Sequence, residues 1–262
     1  MKIPKKIHYC WFGNNEKPEC ILQCIESWKK FCPDYEIIEW NESNYDIDSL
    51  EYTRQAYDAK KWAFVSDVAR LKVVYDHGGI YMDTDVEILD NIDRYLENEM
   101  FMFFQCERTL ASGLGFGGVK GQKDIGDMLE DYRDRQFIVN GKFDMSACPD
   151  LNTNVLRKNI PELLVNGETQ IIDGKAFYSC DEYKNVMYHY GAQSWTDNPN
   201  YNFEKKEWKN NAVKRFFRKY KRVNFLENHL PAKLFKGYIF FAYDFLDLGP
   251  IFYIKKVFKK IK

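Results

Sequence analysis

Seven cysteines are scattered through these 262 residues without one C-x-x-C pair, and an odd number cannot close into a complete set of disulfides. Reduced, buried thiols are the expected state. Internal repeats and low-complexity tracts are also missing, so nothing suggests disorder. The opening Met1-Lys2-Ile3-Pro4-Lys5-Lys6 passes directly into a strand-like run, without the roughly 7 to 15 apolar residues of a secretory leader. The expectation is a cytoplasmic protein. No G-x-G-x-x-G lies between Phe12 and Ile21, which disfavours an NAD-type Rossmann site there. Gly113 to Gly118 formally matches that fingerprint, but Val119-Lys120-Gly121-Gln122-Lys123-Asp124 follows where an apolar helix should open. A close-packed glycine strand is the better reading.

What is present is apolar and aromatic. Hydrophobic residues make up 45% and aromatics 17%, with 18 Tyr and 20 Phe, enough for a full core in one large domain and for some aromatic surface. The formal net charge of -1 hides an asymmetry. Residues 205–262 hold 16 Lys+Arg against 4 Asp+Glu, which leaves 22 against 35 for residues 1–204. The expected organisation is therefore a domain at 1–204 and a basic, aromatic extension at 205–262, facing different partners.

In chain order, Lys6 to Gly13 alternates large side chains and stops at glycine, reading as a buried first strand. Pro18 then opens a helix with Ile21, Cys24, Ile25, Trp28 and Phe31 at helical spacing, followed by a strand at Tyr35 to Trp40. Tyr52 to Tyr75 reads as one long helix ended by Asp76-His77-Gly78-Gly79, with glycine supplying a left-handed cap. Asp67 and Arg70 interrupt its apolar surface. They are three apart, so they can pair with each other or face a ligand. Further on, Met100 to Gln105 reads as a strand, Ile125 to Tyr132 as a helix, and 136–152 as an irregular surface loop of the kind that contacts an acceptor. A helix over Leu151 to Leu164 and strands at Gln170 to Asp173, Ala176 to Ser179 and Asn185 to Tyr190 complete an α/β alternation.

The chemistry concentrates at Gly78-Gly79-Ile80-Tyr81-Met82-Asp83-Thr84-Asp85-Val86. If Ile80 to Asp85 is extended, Asp83 and Asp85 point the same way, with Cα atoms roughly 6 to 7 Å apart, and Thr84 points away. Like charges held together call for a divalent cation, a shared proton or water. A solvated turn after a strand is the plainer alternative. Two Asp on one strand also suit Mg²⁺ and phosphates, but a phosphotransferase or nucleotidyltransferase would want a glycine loop with lysine, which the chain lacks. A non-catalytic sugar-binding or nucleic-acid-binding module would be expected to lose the intact carboxylate set, and no nucleic-acid partner is expected.

Four blocks, Ile7 to Gly13, Ala63 to Arg70, Gly78 to Asp85 and His189 to Trp195, resemble glycosyltransferase family 32 in order and spacing, over about residues 3–197. That family includes bacterial capsular polysaccharide transferases and yeast mannosyltransferases, and is distantly similar to the glucosyltransferase domain of the large clostridial toxins. The resemblance implies a GT-A fold with a Rossmann-like mixed sheet flanked by helices. It implies a nucleotide-sugar donor, a divalent cation (Mn²⁺ or Mg²⁺), and retention of configuration at the sugar moved to a glycan acceptor. By resemblance, Trp11 stacks on the donor base, Asp67 and Arg70 contact the sugar, and Asp83 lies near ribose and sugar. Asp85 is the direct metal ligand, and His189 with Ser194 and Trp195 supplies a further ligand and a diphosphate contact. In 205–262, cations interleaved with aromatics suit peripheral attachment to an anionic membrane surface, here the inner face of the cytoplasmic membrane, where a lipid-linked acceptor would be found.

Overall fold

The structure, a computed structural model, describes residues 2–106, 109–192, 194, 196 and 201. The chain runs β1 (Lys6–Cys10), α1 (Glu19–Phe31), β2 (Glu36–Trp40), α2 (Glu51–Asp58), α3 (Trp62–His77), β3 (Gly79–Tyr81), β4 (Val86–Ile88), β5 (Met100–Cys106), β6 (Thr109–Ala111) and β7 (Phe116–Gly118). It continues α4 (Lys123–Glu130), β8 (Ile138–Val139), β9 (Lys142–Phe143), α5 (Cys148–Asn159), β10 (Gln170–Ile172), β11 (Lys175–Tyr178), α6 (Cys180–Val186) and β12 (Met187–His189). The main sheet has the order β10-β11-β5-β7-β3-β1-β2, with β6 paired to β5. β1 lies parallel to both β2 and β3, whereas β7 runs antiparallel to β3 and β5, so the sheet is mixed. This is the α/β class expected, a mixed sheet flanked by helices.

Burial explains the order of the sheet. Ile7, His8, Tyr9 and Cys10 are all buried in β1, and Met100 to Phe104 are fully buried in β5. A strand covered on both faces needs such a continuous run. Between them β7 is a glycine strand for a steric reason: a Cβ on Gly117 would lie 2.6 Å from the Phe101 ring and 2.9 Å from the Gly79 carbonyl. The six described cysteines other than Cys106 are free thiols, four of them buried.

The expected single helix over 52–75 is broken. Lys60 takes a left-handed φ of 56°, and the Lys61 N–H reaches back to the Ala56 carbonyl before α3 restarts at Trp62. Ala59-Lys60-Lys61 contains no breaker, so local propensity argues for continuity. Packing overrides it: the Trp62 indole sits where a Cβ on Gly13 would fall, 2.7 Å away, and meets the Tyr57 ring edge-on at 5.0 Å. The stretch 136–152 is also more ordered than expected. It holds the β8–β9 hairpin, turned by Asn140 and Gly141 at φ 53° and 74°, and Cys148 with Pro149 starts α5. Asn185 to Val186 end α6 instead of opening the last strand.

A second, two-stranded sheet sets the site. β12 pairs antiparallel with β4, His189 opposite Val86. Helix α1 holds β4 from beneath: the buried Trp28 indole N–H donates to the Val86 carbonyl at 2.7 Å, and Ser27 Oγ accepts the Ile88 N–H at 2.9 Å.

Candidate functional site

Between the two sheets the chain turns. β3 ends at Tyr81, β4 starts at Val86, and the Val86 N–H donates to the Asp83 carbonyl at 3.0 Å, so Asp83-Thr84-Asp85-Val86 is a β-turn. The extended Ile80 to Asp85 of the sequence reading is corrected to a strand end plus this turn. The carboxylates nevertheless converge. Asp83, Asp85 and His189 each offer one ligand atom, all within 4.8 Å of one another.

Each of the three is fixed by a different neighbour. Asp83 Oδ1 accepts the Tyr81 hydroxyl at 3.1 Å and faces Arg70 Nη2 at 3.2 Å, while Oδ2 turns toward Gly113. Asp85 Oδ2 accepts the Ala192 backbone N–H at 2.7 Å, and Oδ1 lies 3.3 Å from His189 Nε2. Arg70 is the hub of the other side. Its Nη2 also reaches Asp67 Oδ1 at 3.1 Å, Nε donates to the Ser66 carbonyl, and the guanidinium lies 5.0 Å from the Tyr81 ring centroid. Asp67 and Arg70 pair with each other, and both line a cavity.

Electrostatics show what the site is short of. Burial pushes the Asp83 carboxyl up, Arg70 pulls it back, and the charge of Asp85 pushes it further up. For Asp85 burial works upward too, but the facing His189 and the Ala192 N–H outweigh it and hold the carboxyl low. Burial would lower His189, yet Asp85 raises it. Asp67 and Asp83 thus share the Arg70 guanidinium, while Asp85 faces the His189 imidazole and the Ala192 amide. Two carboxylate oxygens and an imidazole nitrogen form a donor set suited to a divalent cation, which would compete with a proton for His189 Nε2.

The cavity over this cluster has a volume of about 960 Å³. Trp11, Asp67, Arg70, Asp83, Asp85, His189 and Ser194 all line it. Trp11 follows β1, its indole N–H tied to the Asn15 carbonyl at 2.7 Å and the Lys17 ammonium 5.6 Å from its ring. Ser194 is exposed, and Trp195 lies outside the described residues, as does 205–262. Gly113, Ala192 and Cys148, not among the candidate site residues, also line the cavity. Glycine and a backbone amide carry no side-chain signature; only Gly191, two residues beyond His189, hinted at a sharp turn.

Residues 18–102 match the family model for the glycosyltransferase sugar-binding region containing DXD motif. Inositol phosphoceramide mannosyltransferase 3 of Schizosaccharomyces pombe is 30% identical over 120 residues, 43% of this chain and 31% of that protein. The chain thus spans about a third of that relative's length. An uncharacterized glycosyltransferase, L373, of Acanthamoeba polyphaga mimivirus is 25% identical over 202 residues, 71% of this chain and 78% of that protein. Among solved structures, PaToxG glycosyltransferase superposes with a TM-score of 0.49 at 20% identity, over 61% of this chain and 71% of that one.

Proposed function

We propose that this protein is a divalent-cation-dependent, retaining glycosyltransferase of the family 32 type, which moves a hexose from a nucleotide sugar, a UDP-sugar first, to a polysaccharide or lipid-linked glycan acceptor. The observation that carries the reading is the convergence of Asp83, Asp85 and His189 on the floor of a cavity that also holds Trp11, Asp67 and Arg70. The match to a DXD-type sugar-binding region over 18–102 supports it.

A nucleoside diphosphate is a competent leaving group once its charge is neutralised, and a bound Mn²⁺ or Mg²⁺ supplies that neutralisation. Asp83, Asp85 and His189 would hold the cation, each offering one ligand atom within 4.8 Å of the others. Trp11 stacks on the base, Asp67 and Arg70 contact the sugar, and Ser194 with Trp195 reaches the diphosphate. No side chain is assigned as nucleophile. Retention is ascribed to attack on the leaving group's own face, with the donor phosphate taking the acceptor's proton.

The acceptor enters beside the β8–β9 hairpin, where Ile138, Val139, Phe143 and Met145 are 40 to 49% exposed and Met145 also lines the cavity. An amphiphilic acceptor suits that lip, and the lipid in the name of the mannosyltransferase relative supports it. Residues 1–204 form the catalytic domain in this reading, with 205–262 as a basic attachment to the inner face of the cytoplasmic membrane. No described helix is long and apolar enough to cross a membrane.

A thermal-shift screen of UDP- and GDP-sugars with and without Mn²⁺ tests the reading. Donor at about a hundredfold over Kd stabilises by about 2.7 kcal/mol, or roughly 5 to 10 °C for a domain of this size. The largest shift is expected for donor and Mn²⁺ together; indifference to every pair refutes the reading.

A further inference from the structure

The segment that follows β12 folds back on Asp85 through its backbone. Tyr190 N–H donates to the Asp85 carbonyl at 3.0 Å, and Ala192 N–H donates to Asp85 Oδ2 at 2.7 Å, so main chain and side chain of one aspartate are gripped by residues two apart. Between them Gly191 has φ of +68°. That left-handed conformation is what turns the Ala192 amide inward, and an L-residue enters it at a cost of about 1 to 2 kcal/mol. Sterics do not demand glycine here: a Cβ on Gly191 would meet nothing within 4 Å. Only the backbone conformation does.

We infer that Gly191 is a positioning residue for the cation site: its left-handed turn sets the Ala192 amide as a clamp on Asp85 Oδ2, leaving Oδ1 as the oxygen for the cation. The inference rests on the metal-dependent reading above. The clamp has three consequences. It neutralises part of the Asp85 charge without consuming the ligand atom. It fixes the carboxylate's rotation, so that Oδ1 faces His189 Nε2. It also ties His189, Asp85 and Asp83 into one rigid cluster, because Asp85 sits in the same turn as Asp83.

An alanine at 191 bears that conformational cost in the clamped state, which shifts the balance toward a relaxed turn with the Ala192 amide withdrawn from Asp85 Oδ2. The relaxed turn then becomes the resting state, and cation binding must rebuild the clamp, which weakens affinity. Asparagine tolerates the left-handed region better than alanine, and valine worse. The expected order of Mn²⁺ dissociation constants is therefore glycine, asparagine, alanine, valine, with Gly191→Ala about tenfold weaker than the wild type.

The test measures Mn²⁺ binding to the full chain by electron paramagnetic resonance, with no donor present, for wild type and for Gly191→Asn, Gly191→Ala and Gly191→Val. Hydrogen exchange at the Ala192 amide is followed in parallel. Support requires that ordering, together with Ala192 exchange that quickens in Gly191→Ala and slows again on adding Mn²⁺. An unchanged dissociation constant in Gly191→Ala, whether or not its melting temperature falls, makes Gly191 merely structural and overturns the inference. Wild type that fails to bind Mn²⁺ overturns the metal reading itself, and the clamp with it.

Discussion

Gly113→Ala separates fold from function at a single methyl group. Gly113 lies just beyond β6, outside the left-handed region, so its backbone accepts alanine without strain. The new Cβ, however, would fall 2.2 Å from Asp83 Oδ2 and 3.1 Å from Arg70 Nη1. Ordinary contact requires the carboxylate to move by roughly 1 Å. A carboxylate on a two-torsion side chain can do that, so the stability cost should stay near 1 kcal/mol. The site has no such slack. Asp83 Oδ1 is held by Tyr81 and Arg70, and swinging Oδ2 away from Gly113 breaks that pair of contacts and moves a carboxylate of the proposed cation site. A misplacement of about 1 Å can lower turnover on the order of a hundredfold. Donor hydrolysis in Mn²⁺, read beside circular dichroism and urea unfolding, decides it. A Gly113→Ala protein within twofold of wild-type turnover would show that Asp83 has no role requiring its present position.

Asp85→Ala should leave the circular dichroism spectrum unchanged and abolish Mn²⁺-dependent donor hydrolysis, with Asp83→Ala nearly as severe; near-normal turnover in either removes that residue from the site. Trp11→Ala should mainly raise the donor KM, because a stacking contact formed equally before and during reaction does not change kcat; a fall in kcat alone speaks against a base-stacking role. Full-length protein should sediment with anionic but not neutral vesicles at low salt and be released at high salt, and indifference to all vesicles ends the attachment proposal. Burial lowers the His8 pKa to about 4 from 6.5. The unfolded chain therefore takes up that proton first, so the contribution is intact above about pH 6.5 and falls by up to about 3 kcal/mol as pH drops to 4. Urea titrations across that range should show the slope, and His8→Gln should reduce it.

His8 also shows how much of the interior was legible. Its burial followed from the apolar run around it, but its tautomer did not: Nδ1 lies 3.1 Å from the Trp40 indole N–H and Nε2 2.9 Å from the Gly78 carbonyl, so the neutral form carries its proton on Nε2. Trp40 is 32 residues away in sequence and Gly78 is 70. Periodicity announces faces, and it placed β1, α1, β2, β5 and α4 within a few residues. Tertiary contacts decide where an element breaks against its own propensity, as at Lys60, where the Trp62 ring against Gly13 wins. The same limit hid the start of α5. Cys148-Pro149-Asp150 has the proline of a helix opening, yet it follows a polar stretch whose hairpin is recognisable only from Asn140-Gly141.

The Asp-x-Asp turn is where the residues singled out in the sequence take a geometry other than the extended one expected. A strand would have placed both carboxylates on one face of one sheet. In the structure Asp83 closes the main sheet and Asp85 opens the two-stranded one, so each is held by a separate scaffold: Tyr81 and Arg70 on one side, β12 and the Ala192 amide on the other. Their separation is then set by a β-turn, not by the pleat, and the third ligand atom arrives from His189, 104 residues after Asp85, because β12 pairs with the strand that Asp85 precedes. Repulsion between the two carboxylates opposes such a turn in the empty site, and the Arg70 guanidinium facing Asp83 and the His189 ring facing Asp85 offset part of it. The proposed cation would offset more, which would couple its binding to the junction between the sheets. Substitutions that loosen either scaffold, Tyr81→Phe from one side or Gly191→Ala from the other, should therefore each weaken Mn²⁺ binding, and their effects should fall short of additive when combined, because both act on one turn. Full additivity in a double-mutant cycle would mean that the two carboxylates are positioned independently.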